Sequence, residues 1–156
     1  MLGYADLLAG RVEAGERVAI IGAGGIGFDV AEFLVQDGPS ATLDTGRWMT
    51  EWGVDPGFES RGGLAPARPE PPAREIWLLQ RTAGKLGARL GKTTGWIHRA
   101  ALRAKSVRML GGVAYLGMEA DGFRISVDGT EQLLPVDHVV LCAGQESRRP
   151  LLDPLR

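Results

Sequence analysis

Gly22, Gly24 and Gly27 stand in the spacing Gly-x-Gly-x-x-Gly, directly after the apolar run Val18-Ala19-Ile20-Ile21 and at the head of an amphipathic stretch. Those residue types in that order suit a phosphate. The first glycine allows a tight turn out of a strand, the second lets a pyrophosphate reach the backbone, and the third lets helix and strand pack closely. Unpaired N–H groups at the start of the helix then face the negative charge. Gly25 adds one more position without a side chain. Glycine is abundant here, 23 of 156 residues or about twice the average share of about 7%. The triplet is therefore informative only because a buried-type strand precedes it and a helical period follows.

The residue at the end of the next strand decides which dinucleotide fits. An acid there holds a free ribose 2′-OH, whereas an arginine accommodates a 2′-phosphate. Arg81 follows Gly27 by 54 residues, and setting aside the 37 residues of 37–73 leaves 17, close to the usual offset of about 20. No acid lies between Leu78 and Arg89, and Lys85 and Lys92 add positive charge. The expected cofactor is NADPH, with Gly22, Gly24, Gly25 and Gly27 on the pyrophosphate and Arg81 on the 2′-phosphate.

Other candidate chemistries fail on spacing. Gly91-Lys92-Thr93 resembles the end of an ATP-binding loop, but that loop needs four residues between its glycines and Gly87 to Gly91 has three. His98 and His138 have no Cys, Asp or Glu at ligand spacing, so both read as hydrogen-bonded structural histidines and no metal site is expected. Cys142, the single cysteine, can neither form an internal disulfide nor hold an iron–sulfur cluster, and it reads as a small core residue. Trp77 and Trp96 read as packing residues.

The elements that must position these residues follow from period and punctuation. Residues 3–9 predict a short helix, Val18–Ile21 a strand buried on both faces, and residues 25–36 a helix with Ile26, Val30, Phe33 and Leu34 inward. Residues 37–73 hold six of the nine prolines and six glycines, without helical or strand period. Trp48, Trp52 and Phe58 argue for an ordered loop insertion whose aromatics fold back onto the domain. Glu75–Leu79 and Val107–Leu110 are strands, flanking a helix from Thr93 or Thr94 to about Lys105 with Ile97, Ala101 and Leu102 inward. Val113–Met118, Phe123–Val127 and Gln132–Leu134 form a meander through turns at Asp121-Gly122 and Asp128-Gly129. His138–Cys142 is a last buried strand. The order predicts a Rossmann-like three-layer α/β domain, a parallel sheet with an antiparallel meander.

Composition narrows the class. A net charge of −1, from 18 basic and 19 acidic residues, speaks against a broadly basic nucleic-acid binder. No apolar run approaches the ~20 residues of a membrane span and no signal sequence opens the chain, so the expected compartment is the cytoplasm.

The segments GAGGIGFD at 22–29, LQR at 79–81, LGKTTGWIHR at 90–99 and VVLCAGQ at 139–145 together resemble one family. It is the NADPH-binding domain of bacterial-type 2,4-dienoyl-CoA reductases, relatives of old yellow enzyme and trimethylamine dehydrogenase. LGKTTGWIHR is the specific part, and the likeness runs from about Tyr4 to the C-terminus. The resemblance implies a larger flavoprotein, in which residues 1–156 form the nucleotide domain inserted within an FAD-binding domain, beside a TIM barrel. Electrons would pass from NADPH to FAD, through a 4Fe-4S cluster to FMN, and on to an unsaturated acyl thioester of fatty-acid oxidation. FAD, FMN and the cluster would belong to the parent, and this domain alone would be inactive, with no catalytic residue of its own. Ala143, Gly144 and Gln145 would lie near the nicotinamide–FAD junction. Members often carry a second basic residue after the arginine, where this chain has Thr82. Three other assignments stay open on the residues alone: another FMN- and FAD-dependent iron–sulfur ene-reductase, a non-catalytic dinucleotide sensor, and a methyltransferase, although the last usually needs an acid where Arg81 stands.

Overall fold

A computed structural model describes residues 1–144, 148–150, 152 and 155. The alternation of apolar residues in the strands builds three layers. In β2 (Arg17–Ile21), Val18 and Ile20 face one core while Ala19 faces another. In β3 (Glu75–Leu79), Ile76 and Leu78 face the first core and Trp77 and Leu79 the second. Helices α2 (Gly25–Val35) and α4 (Gly95–Ala104) cover the first side, through Phe28, Val30, Ala31, Leu34 and Leu102. The meander of β5 (Val113–Glu119), β6 (Gly122–Val127) and β7 (Thr130–Leu134) covers the second, through Val113, Phe123, Ile125 and Leu134. Each fully buried large apolar side chain contributes roughly 1.5–3 kcal/mol, so both faces are strongly specified.

The main sheet is parallel throughout. With β1 (Leu2–Gly3), β4 (Arg108–Leu110) and β8 (His138–Leu141), its order is β1-β8-β2-β3-β4. After β2 the chain moves to one side for β3 and β4, then returns to the other side for β8. That reversal makes the crevice between β2 and β8 the topological switch point, where open α/β sheets bind ligands at the carboxyl ends of their strands. Among the described residues no helix is long and apolar enough to cross a membrane.

Several expectations need correcting. Before the N-terminal helix α1 (Tyr4–Leu8), Leu2 and Gly3 pair with β8 as an extra strand, too short to show a period. Phe33 is 50% exposed because the inward stripe of α2 runs through Phe28, Val30, Ala31 and Leu34 instead. Trp96 and Ile97 are exposed, and α4 buries Gly95 and Leu102 instead. Trp77, by contrast, is core, and the Arg108 guanidinium lies 4.7 Å from its ring centroid.

The insertion contains a helix that its sequence hides, α3 (Thr45–Trp52). Its start is capped by Asp44, whose carboxylate accepts from the Arg47 N–H at 2.9 Å. Its end turns at Gly53, which takes φ +68°, a left-handed conformation that glycine adopts freely. The insertion is ordered, but polar contacts hold it more than aromatics do. Phe58 is 82% exposed and does not fold back, while Trp48 and Trp52 pair with each other at 6.1 Å. Arg47 forks onto Glu70 and also donates to the Pro39 carbonyl at 2.8 Å, and Lys105 donates to Glu51 at 3.2 Å and to the Glu70 carbonyl at 2.9 Å.

Candidate functional site

The glycine loop leaves β2 at its carboxyl end and becomes the first turn of α2. Gly22 takes φ +112°, and a Cβ there would stand 2.8 Å from the Cys142 carbonyl oxygen of the neighbouring strand end. Its N–H donates to the Leu79 carbonyl at 2.9 Å, and the Cys142 N–H donates to the Ile21 carbonyl at 2.8 Å. The turn is thus stitched to β3 on one side and to β8 on the other. Gly27 is buried, and a Cβ on it would collide with the Gly22 carbonyl oxygen, so only glycine lets the helix sit this close to the turn. Gly24 and Gly25 differ, because a Cβ on either would meet nothing within 4 Å. Their backbone faces open space at the start of a helix whose first N–H groups have no intrahelical acceptor. No acid occupies the first turn of α2. A phosphate has both room and donors.

Gln80 and Arg81 follow β3 at the same edge. The Gln80 amide donates to the Thr82 carbonyl at 2.9 Å, while the N–H groups of Gly112 and Val113 donate to Thr82 and Gln80 carbonyls at 3.1 and 3.0 Å. The Arg81 loop is therefore laced to the turn after β4. Sequence reasoning missed Gln80 and Gly111 as supports. A Cβ on Gly111 would stand 2.7 Å from the Gly84 carbonyl oxygen, and a glycine pair ending a strand is the signal for such an approach. Tyr115, also missed, stacks on Phe123 with centroids 6.0 Å apart. Burial pushes its phenol pKa up, and the positive charge of Arg81 opposes that shift, so the two groups sense each other.

Lys85 and Arg89 belong to a segment pressed onto α2: Gly87 packs so closely that a Cβ would stand 2.8 Å from the Phe28 ring, and Arg99 donates to the Gly87 carbonyl at 3.0 Å. Lys92 lies further on, in the turn that leads into α4, whose N-cap position is Thr94 without a side-chain cap. Arg81, Lys85, Arg89 and Lys92 are all exposed, and none forms a hydrogen bond or ion pair among the described residues. Ala143 and Gly144 emerge beside the glycine loop, where the Ala143 Cβ would stand 3.2 Å from a Cβ on Gly22. Gln145 lies outside the described residues.

Each histidine has a hydrogen-bond partner. His98 shares a 2.7 Å hydrogen bond with Glu32, and His138 accepts from the Gly15 N–H at 2.9 Å. Burial pushes the Cys142 thiol up to about 12, which leaves it a packing group rather than a nucleophile. Among the described residues no cluster of His, Cys, Asp and Glu could hold a metal ion.

No family model matches the chain. Over 153 residues it is 29% identical to a metal reductase of Desulforamulus reducens, covering 97% of this chain and 22% of that protein. It therefore spans about a fifth of the length of this curated relative. Among solved structures it resembles 2-naphthoyl-CoA reductase in complex with 2-naphthoyl-CoA, with a TM-score of 0.64 at 18% identity, over 97% of this chain and 18% of that one. It also resembles 6-hydroxypseudooxynicotine amine oxidase from Pseudomonas geniculata N1, with a TM-score of 0.62 at 17% identity, over 99% and 18% of the two chains. At these identities the structures establish a shared Rossmann-like α/β fold.

Proposed function

We propose that the chain is the pyridine-nucleotide domain of a flavin-linked oxidoreductase, and that it holds NADPH so that the nicotinamide meets a flavin carried by another domain. One juxtaposition supports this above all. A glycine cradle with free backbone stands at the switch point, and an arginine unpaired among the described residues follows the adjacent strand, with no carboxylate after β3 to hold a free 2′-OH. In this proposal Gly22 and Gly27 shape the turn, Gly24 and Gly25 admit the pyrophosphate, and Arg81 forks onto the 2′-phosphate with Lys85 or Lys92 beside it. Ala143, Gly144 and Gln145 border the nicotinamide. When bound, NADPH supplies a hydride to the flavin. The chain's residues bind and orient, and none performs acid–base or covalent chemistry.

The metal reductase and the 2-naphthoyl-CoA reductase are named for different acceptors. The acceptor is thus chosen outside the nucleotide domain. We favour a 2,4-dienoyl-CoA reductase as the parent, with FAD, FMN and a 4Fe-4S cluster in FAD-binding and TIM-barrel domains, because of the LGKTTGWIHR segment at 90–99. Titration calorimetry tests the nucleotide assignment. The unmutated domain should bind NADPH more tightly than NADH, and Arg81→Ala should lower NADPH affinity about tenfold while NADH affinity stays level. Equal affinities in the unmutated domain, or an unchanged ratio in the variant, would overturn it.

A further inference from the structure

Tyr115 has one part that packing explains and one that it does not. Its ring packs against the core on the meander side of the sheet and stacks on Phe123, work that phenylalanine would do equally well. Its hydroxyl makes no hydrogen bond among the described residues, and no buried polar side-chain atom among them lacks a partner. The hydroxyl therefore reaches solvent. An apolar body inside with a free polar tip outside suits a place where the polar group of a ligand arrives.

The backbone brings that tip toward Arg81. In β3, Trp77 and Leu79 face the meander, and the strand runs on through Gln80, whose N–H donates to the Leu110 carbonyl at 3.0 Å. Carried forward, that alternation assigns Arg81 to the meander side as well. The start of β5 is laced to the same loop, since the Gly112 and Val113 N–H groups donate to the Thr82 and Gln80 carbonyls. Tyr115 lies two residues beyond Val113, on the same face of β5. The strand bulges directly after it: Tyr115 pairs with Ile125 but Gly117 pairs with Arg124, which leaves Leu116 without a partner on β6. Bulges of this kind re-aim a side chain and gather beside functional sites. The phenol feels the positive charge of Arg81, and no carboxylate contributes there. A guanidinium and a hydroxyl, both unpaired among the described residues and without an acid beside them, make a donor set for an anion. The first supplies charge and a fork, the second a further donor.

We propose that Tyr115 is a specificity-determining residue of the nucleotide site, its hydroxyl donating to the same 2′-phosphate that Arg81 holds. The inference rests on the assignment of NADPH to this site. Adenosine 2′,5′-bisphosphate and adenosine 5′-monophosphate differ only in that phosphate, and calorimetry with both tests it. The unmutated chain should bind the bisphosphate more tightly. Tyr115→Phe keeps the ring and its stacking, so it should lower bisphosphate affinity about five- to tenfold and leave the monophosphate unchanged. The Arg81→Ala/Tyr115→Phe double variant should bring the two ligands to similar affinity. A second readout is one that packing would not move. In protein labelled with ¹³C at tyrosine Cζ, where only Tyr4 and Tyr115 report, the Tyr115 signal should shift with the bisphosphate and stay in place with the monophosphate. Unchanged bisphosphate affinity in Tyr115→Phe, an equal loss for both ligands, or a Tyr115 signal indifferent to the bisphosphate would each overturn the role of Tyr115 and leave the NADPH assignment standing. If the unmutated chain does not distinguish the two ligands, the NADPH assignment fails and this inference falls with it.

Discussion

The loop after β3 and the insertion after α2 are both irregular and both lie at the surface, yet they treat charge in opposite ways. The insertion spends much of its charge on its own shape: Asp44 caps α3, Arg47 forks onto Glu70, Glu51 takes Lys105 of α4, and Asp55 accepts from Gly57 and Ser60 at 3.0 and 2.7 Å. The loop leaves Arg81, Lys85, Arg89 and Lys92 exposed and unpaired among the described residues, while backbone contacts hold it in shape. Charge spent within a segment builds that segment. Charge held back on a rigid frame is available to a ligand, and Arg81 follows the strand that pairs with the one leading into the glycine loop.

The strongest way to break the comparison is to damage the frame itself. Gly27→Ala drives a methyl into the Gly22 carbonyl and must move either the turn or α2. Overpacking of this kind should cost about 3 kcal/mol in urea unfolding, and it should abolish measurable NADPH binding. A variant that keeps full affinity would mean that the turn is not the phosphate cradle.

Next in size is Lys105→Met, which leaves Glu51 without its cation and the Glu70 carbonyl without its donor. The pair is mostly but not wholly withdrawn from water, so a loss of about 1–2 kcal/mol is expected. Limited proteolysis should then cut between Asp37 and Arg74, whereas the parent resists. NADPH affinity should not change. Simultaneous loss of nucleotide binding would show that the two regions are coupled rather than independent.

A smaller effect sharpens the other side. Cations that meet a bound phosphate at the surface are screened, so NADPH affinity should fall as salt rises from about 0.05 to 0.5 M, and the slope should flatten in Arg81→Ala. Stability of the insertion should change far less over that range. Equal salt slopes for the variant and its parent would remove Arg81 from the phosphate site.

Legibility in the sequence followed the same division. The rim could be read because its residues answer to backbone rules: a buried strand, glycines where helix and turn crowd, and a basic residue at a strand end. The strands of the sheet and the meander were readable from their apolar alternation, as in Ile76-Trp77-Leu78-Leu79. The insertion was not. Helix α3 carries Trp48, Met49 and Trp52 at helical spacing, but over barely two turns that stripe is too short to set a period, and what orders the helix joins residues far apart in sequence, Arg47 with Glu70 and Glu51 with Lys105. Its composition, six prolines and six glycines in 37 residues, points away from a helix that a capping aspartate and a terminal glycine make possible. Leu2 and Gly3 were invisible for another reason, since a two-residue strand has no period.

The finest test separates the two regions by acid. Asp55 accepts backbone N–H groups, above all from Ser60, and these hold its carboxyl below the ordinary 3.8. The fork from Arg47 likewise holds Glu70 below its ordinary 4.5. A carboxyl whose folded pKa is depressed adds stability that is complete above the unfolded value and lost as pH falls through the folded one. The insertion should therefore stay ordered at neutral pH and loosen only below about pH 4, gradually, because both carboxylates are solvent-exposed. The loop at Arg81 has no carboxylate to titrate, so its backbone should be indifferent over the same range. Two-dimensional NMR reads this directly. The Gly57 and Ser60 amide signals should move with a midpoint below 3.8, while those of Thr82 and Gly84 stay fixed. A midpoint at or above 3.8 would mean that Asp55 does not hold its turn, and the insertion would then have to be ordered by its ion pairs alone.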